Sequence, residues 1–239
     1  MRFGPSLKVI SEATLVIGFF VVGFYMVLSI YGYRYDTILN DFEKTSIIDL
    51  GGHLKGVEVF LDDVKVSDNL PFTIRGVNPG IHHVVIKGPS YFDFKAFLNV
   101  SNDLVSKIDS VILMPDKIVF KEVVLDPTFK FENEIYTDRD VYSNGNEVWF
   151  VNSSGVKKLI SRMYSPVTMV KLFSDGYSLL FVRDKRLFFC DQLMQNCYSL
   201  RDYKEGDAFI SKAGKVFYKE KSGKVFEFKI MEEGSIYAF

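Results

Sequence analysis

Cysteine, tryptophan and histidine are scarce in this chain. Its 239 residues include two Cys, one Trp and three His, and each scarcity excludes something. Cys190 and Cys197 stand alone, so neither a multi-bridge disulfide scaffold nor a two-pair zinc site can be built. No nearby histidine completes a ligand set. An excess of charge of one sign is also missing. The 29 basic and 30 acidic residues leave a net charge of −1, without the basic bias of a nucleic-acid-binding face, so no nucleic-acid partner is expected. No HExxH, GxSxG, GxxxxGK[ST] or GxGxxG run occurs. Zinc-protease, serine-hydrolase, P-loop and dinucleotide chemistry therefore have no motif to start from. No catalytic residue, cofactor or metal ligand is expected.

The chain is rich in apolar and aromatic side chains. Hydrophobic residues make up 48% and charged residues 25%, a balance that folds. With 23 Phe and 13 Tyr, it favours strands, because aromatic side chains suit a pleated, half-buried surface.

Residues 13–33 (ATLVIGFFVVGFYMVLSIYGY) carry no charge and are closed by Glu12 and Arg34. As a helix this run is ~31 Å long, enough for a ~30 Å hydrocarbon core. A buried core helix is usually ~10–14 residues. A cleavable signal peptide has ~7–15 apolar residues and a small-residue exit. Here the exit carries Tyr31, Tyr33 and Tyr35, rings suited to the headgroup layer. An uncleaved signal-anchor is expected, with the lipid bilayer as partner through residues 13–33. Gly18 and Gly23 are five apart, so they do not form the GxxxG dimer face. Arg2 and Lys8 precede the helix and Arg34 and Lys44 follow it, so the positive-inside rule barely separates the two sides. A tail of residues 1–12 can fold nothing alone. The expected topology is therefore a short cytoplasmic tail and an extracytoplasmic remainder.

Residues 34–45 are polar and mixed, and read as a stalk. From 46 the pattern has period two. Val57, Val59 and Leu61 alternate with Glu58 and Phe60, Asp62-Asp63 supplies a turn, and Val64 and Val66 resume. Ser67-Asp68-Asn69, Asn78-Pro79-Gly80, Gly88-Pro89-Ser90 and Ser101-Asn102-Asp103 punctuate further strands. Turns every 8–12 residues predict an all-β sandwich over 46–114. Val57-Glu58-Val59-Phe60-Leu61-Asp62, Leu70-Pro71, Pro79-Gly80-Ile81-His82-His83-Val84-Val85-Ile86 and Tyr91 resemble the PEGA domain, a small β-module of prokaryotic envelope and surface proteins. Leu54-Lys55-Gly56-Val57 keeps only the glycine of the four residues that name the family, Asp62-Asp63 replaces its Asp-Gly, and Leu70 replaces the threonine before its proline. The resemblance covers about 70 residues. It implies a spacer or adhesion module outside the cell, without catalysis.

Met114-Pro115-Asp116-Lys117 is the expected boundary to a second β-rich region, 118–239. Alternating segments there are separated by Ser143-Asn144-Gly145-Asn146, Ser153-Ser154-Gly155, Ser174-Asp175-Gly176, Ala213-Gly214 and Ser222-Gly223. Glu147-Val148-Trp149-Phe150, Arg186-Leu187-Phe188-Phe189 and Lys215-Val216-Phe217-Tyr218 form a loose repeat. Ser174 to Phe181 looks like the opening hairpin of a propeller blade. Blades of ~40–50 residues leave room for three at most, where propellers usually have at least four. A partial propeller-like array and a compact sandwich or meander both fit. A partial array would leave edges open to self-association.

Outside the cytoplasm, Cys190 and Cys197 would close a loop of about eight residues, worth about 2.5 kcal/mol in the chain-entropy model. Two reduced strand cysteines are the alternative. His82 and His83 are adjacent on a strand and point to opposite faces, so they cannot chelate one metal together. They and His53 read as structural. Asp138-Arg139-Asp140 could flank a cation but falls short of a calcium ligand set, and reads as a solvated loop. Asn99-Val100-Ser101 and Asn152-Ser153-Ser154 fit a glycosylation sequon, and Trp149 and Phe150 suit core packing better than sugar stacking. The function expected is a membrane-anchored, extracytoplasmic scaffold or binding module, non-catalytic, contacting envelope protein or polysaccharide. The rival is an envelope enzyme acting on glycan or peptide, whose facing carboxylates the fold alone would bring together.

Overall fold

The computed structural model describes residues 5–36, 40–52, 54–102, 104–132 and 139–230. It is an all-β protein preceded by one helix, α1 (Pro5–Ile30). From Val9 to Ile30 this helix is long and apolar enough to cross a membrane, and none of that stretch is buried. The helix stops three residues before the uncharged run does. Tyr31 N–H bonds the Val27 carbonyl, Gly32 N–H bonds Ser29, both at 3.1 Å, and Gly32 takes φ +80°, the left-handed geometry with which glycine ends helices. Tyr33 therefore belongs to a strand. Residues 34–45, expected as a stalk, carry a hairpin of β1 (Tyr33–Asp36) and β2 (Asp41–Lys44). Its mixed charge conceals a period-two order in which aromatic positions alternate with charged ones.

The described chain falls into two compact units. One comprises Met1–Ile48, Thr73–Ile81 and Asn99–Ser106; the other comprises Asp49–Phe72, His82–Leu98 and Lys107–Phe239. Between 46 and 108 run β3 (Ser46–Leu50), β4 (Lys55–Leu61), β5 (Val64–Asn69), β6 (Phe72–Val77), β7 (Gly80–Lys87), β8 (Phe94–Val100) and β9 (Val105–Ile108). They form a three-stranded sheet, β6-β3-β9, and a four-stranded sheet, β5-β4-β7-β8. The Asp62-Asp63 turn between β4 and β5 has both residues at positive φ, 49° and 66°. This is the two-residue hairpin geometry whose twist matches the strands. β8, at a sheet edge, alternates buried and exposed at every position, which the sequence pattern predicts for a strand with one covered face.

Beyond it lie β10 (Lys121–Val123), β11 (Arg139–Asn144), β12 (Glu147–Asn152), β13 (Lys157–Arg162), β14 (Val167–Leu172), β15 (Leu179–Arg183), β16 (Arg186–Cys190), β17 (Cys197–Asp202), β18 (Ala208–Lys212), β19 (Lys215–Lys219) and β20 (Val225–Lys229). They build three antiparallel sheets, β11-β12-β13, β14-β15-β16-β17 and β10-β20-β19-β18. The first two are consecutive meanders. The third is completed by β10, which reaches back from upstream of both other sheets.

The middle sheet is buried on both faces. Leu179, Phe181 and Cys190 pack with Val141, Val148, Val167 and Leu172. Leu180, Val182, Leu187 and Phe189 pack with Phe173, Phe209, Val216, Tyr218 and Phe228. Successive residues of β15 and β16 thus enter different cores, which is why Leu-Leu-Phe-Val and Leu-Phe-Phe-Cys are continuous apolar runs. Ile112 and Met114 belong to the second of these cores. The turn at 114–117 is therefore not a boundary between compact units.

Buried aspartates tie the turns. Asp175 Oδ1 accepts the N–H groups of Tyr177 at 2.9 Å and Ser178 at 2.8 Å, and Oδ2 accepts the Ser178 hydroxyl at 2.7 Å. Beside it, Ser174 N–H donates to Ser211 Oγ and Ser174 Oγ accepts Gly214 N–H, both at 2.8 Å, joining the second sheet to the third. Burial pushes the Asp175 carboxyl above its ordinary value of 3.8, and the hydrogen bonds only partly offset this. The folded state then holds its proton more tightly than the unfolded chain. The stability this adds is complete below the ordinary value and is lost as pH rises through the raised one. Asp175→Asn keeps an acceptor and removes the titration. The variant is expected to gain on the wild type between pH 4 and 7 in denaturant midpoint, whereas Asp175→Ala loses about 1–3 kcal/mol at both.

Candidate functional site

The most organised polar constellation is the loop that joins β16 to β17. Cys190 and Cys197 face each other in the strand register and are joined by a disulfide, with Cα atoms 4.2 Å apart. Inside the loop Asp191 is almost fully buried. Its Oδ1 accepts the Gln195 N–H at 2.9 Å and its Oδ2 accepts the Asn196 side-chain amide at 2.5 Å. Burial pushes this carboxyl up, against the pull of those bonds. Burial, helped by the charges of Asp191 and Asp93, also pushes the adjacent Tyr198 hydroxyl up to about 12.

The loop presents two side-chain amides to the open edge of β8. Asn196 Oδ1 accepts the Lys95 N–H at 3.0 Å, and its Nδ2 donates to the Lys95 carbonyl at 2.9 Å. Gln195 repeats the contact one strand period on. Its Oε1 accepts the Phe97 N–H at 2.7 Å and its Nε2 donates to the Phe97 carbonyl at 3.1 Å. An amide side chain offers the same donor and acceptor as a peptide group, so the two residues imitate a neighbouring strand along the edge. Tyr198 stacks on Phe92 with ring centroids 5.4 Å apart and seals one end. The disulfide limits the freedom of the loop that carries the two amides. Replacing both cysteines by serine is expected to cost about 2.5 kcal/mol and to speed hydrogen exchange at the Lys95 and Phe97 amides. Unchanged exchange there would mean that the loop needs no cross-link.

His82 and His83 diverge. His82 Nδ1 lies 2.6 Å from Asp62 Oδ2, and the His83 backbone N–H donates to Asp62 Oδ1 at 2.9 Å. The His83 ring stacks on exposed Phe97 at 4.6 Å. Burial pushes the Asp62 carboxyl up, but the bonds from His83 and His82 outweigh it and hold it below the ordinary range. The aspartate thus braces the β4–β5 turn against β7. Of the other residues singled out in the sequence, His53 and Asp138 lie outside the described residues. Asp140 sits on β11, not in a loop, and its Oδ1 accepts the Val141 N–H. Arg139 stacks its guanidinium over Tyr177 at 4.7 Å. Trp149 donates its ring N–H to Glu147 at 3.1 Å, and Phe150 packs against the core between the first and second of the three sheets.

Carboxylates also gather at the surface of β4 and β5. Lys65 Nζ bonds Glu58 at 2.8 Å and Asp68 at 2.6 Å, with all three side chains well exposed. Glu58 and Asp68 line an open hollow with Gly56, Val57, Lys87, Gly88 and Pro89. Pairs so exposed contribute little to stability. Among the described residues no group of three or more His, Cys, Asp or Glu is placed to hold a metal ion.

Neither a known family model nor a curated protein matches this chain.

The amide pair is a polar constellation that no sequence pattern marked. Its partners lie 98 and 101 positions away, beyond any local pattern. The only signal available was an aspartate followed by Gln-Asn inside a disulfide-sized loop.

Proposed function

We propose that the chain is a non-catalytic scaffold or binding module, held at a membrane by α1 with residues 34–239 outside the cytoplasm, where it contacts envelope protein or polysaccharide. The observation that carries this reading is α1 itself. The 22 residues of Val9–Ile30 bury nothing, which is costly in water and favourable in hydrocarbon. The side of the membrane is argued from the Cys190–Cys197 disulfide, a bond that persists in oxidising compartments and is rare in the cytoplasm. On this reading 46–114 is a PEGA-like sandwich serving as a spacer, and the three successive sheets beyond it are a partial propeller-like array that offers the binding surface.

The test is topology in intact cells. A membrane-impermeant thiol reagent should label Cys190 and Cys197 only after reduction, and external protease should reach the β-rich region. Free thiols, with the β-rich region protected until the cells are opened, would place the module in the cytoplasm and end the envelope reading.

A further inference from the structure

The hairpin that follows α1 has a surface that spanning alone does not require. β1 and β2 pair as Tyr33↔Lys44, Arg34↔Glu43, Tyr35↔Phe42 and Asp36↔Asp41. Successive strand residues point to opposite faces, so Tyr33, Tyr35, Phe42 and Lys44 share one face and the charged residues Arg34, Asp41 and Glu43 share the other. On the charged face, Arg34 Nη1 donates to the Gly76 carbonyl of the same unit at 3.4 Å. The aromatic face is open. Tyr33 is 37% exposed, Tyr35 42% and Phe42 39%, and Tyr31 just before them is 69% exposed.

The rings on that face are ordered. Tyr35 and Phe42 meet edge to face at 5.2 Å, the Tyr35 hydroxyl donates to Asn40 Oδ1 at 2.5 Å, and the Lys44 ammonium lies over the Tyr33 ring at 5.9 Å. The hairpin is also tied to the end of the helix. The Gly32 carbonyl accepts both the Thr45 N–H and the Thr45 hydroxyl, each at 2.8 Å. Both strands therefore start and finish at one point, two residues beyond Ile30.

Lengths decide where such a hairpin lies. Val9–Ile30 as a helix covers ~33 Å, so Ile30 stands at the edge of a ~30 Å hydrocarbon core. The headgroup layer beyond it is only about 5–8 Å deep on each side. A hairpin standing upright, at ~3.3 Å per residue, would carry Tyr35 and Phe42 about 10 Å out and past that layer. Lying down keeps every ring within it. The face combines phenolic rings, one apolar ring and a long-stemmed cation, the set that settles at a membrane interface with its polar ends in water.

A second copy of the chain would also cover aromatic rings, but the area is too small. Three rings about 40% exposed, at roughly 200 Å² each, offer on the order of 250 Å², against ~800 Å² per partner in a standard interface. We propose that β1 and β2 lie along the bilayer surface with the Tyr33–Tyr35–Phe42–Lys44 face in the lipid headgroup layer. This inference rests on the reading of α1 as a membrane anchor. The hairpin then sets how its own unit sits at the membrane surface, which a single helix cannot do alone.

The test uses the full chain in phosphatidylcholine vesicles whose lipids are brominated either near the glycerol or near the chain ends. Trp149→Phe removes the only tryptophan, and single reporters are added to that background. Phe42→Trp is expected to emit at blue-shifted wavelength and to lose most of its emission to the shallow label. Glu43→Trp, next in sequence and on the other face, should keep its emission. Tyr35→Trp repeats the measurement from the partner strand, so that a local disturbance at position 42 cannot decide the outcome. Phe20→Trp, inside α1, reports the anchor through quenching by the deep label. Quenched Phe20→Trp with unquenched Phe42→Trp and Tyr35→Trp would overturn the hairpin inference alone. Equal quenching on both faces would overturn the assignment of the face. Unquenched Phe20→Trp would overturn the anchor reading, and the hairpin inference with it.

Discussion

Replacing Phe189 by alanine is expected to destabilise the protein by about 3–5 kcal/mol, a large share of the ~5–15 kcal/mol that folded domains possess. Phe189 is 1% exposed and meets Phe173 edge to face at 5.2 Å. It belongs to the core shared by the second and third of the three successive sheets, together with Leu180, Leu187 and Phe209. Few neighbours can collapse into the space, because the sheet's opposite face is already filled by Phe181 and Cys190. Phe188→Ala offers the contrast. Its ring is only half-buried and stacks on Phe181 from the other side at 5.5 Å, so it should lose markedly less. The measurement is the denaturant midpoint of the full chain in detergent at unchanged slope. A loss below about 1 kcal/mol for Phe189→Ala, the range of surface changes, would mean that the middle sheet is not packed on both faces.

Asn196→Ala should follow at about 2–4 kcal/mol, since it strands several groups at once. The Lys95 N–H and carbonyl each lose a partner, and buried Asp191 loses the amide that bonds its Oδ2. Gln195→Ala removes only the pair to Phe97, at a more exposed stretch of the edge, and should cost about 1 kcal/mol. Asn196→Asp is the sharper probe. It keeps the shape but cannot donate, and it sets a second carboxylate against Asp191. Its deficit should grow as pH rises through the carboxyl range. Hydrogen exchange at the Lys95 and Phe97 amides locates the damage. Exchange unchanged in Asn196→Ala would show that the loop does not cover the β8 edge.

The residues differ in how much they disclosed in advance. β4, β8, β15 and β16 were legible because their side chains alternate or run apolar for the length of a strand. Asp62-Asp63 and Ala213-Gly214 were legible as turns because their chemistry is local. Asp184-Lys185 makes the same positive-φ turn, at 49° and 58°, yet lysine carries no turn signal. β10 is three residues long and borrows its order from β20, so nothing in Lys121-Glu122-Val123 marks it. The hairpin at β1 and β2 was hidden by its charge. The spacing of Cys190 and Cys197 within one hairpin allowed a disulfide without deciding it, whereas the amide clamp on β8 depends on contacts that only the fold creates.

The pairing of β10 with β20 has a consequence for how the protein is made. The two strands lie about 100 residues apart, and closing so long a loop costs about 2 kcal/mol more than closing a ten-residue hairpin. Such distant pairing slows folding. During synthesis β10 emerges before any other strand of the three sheets, and its partner emerges last. Until then Lys121-Glu122-Val123 has no ladder to join, and the third sheet has a raw edge at β20's place. The ribosome must therefore release the chain through residue 229 before the third sheet can close. A protein stalled earlier in its emergence has β18 paired with β19 but leaves β19 open on its other side and β10 without a ladder.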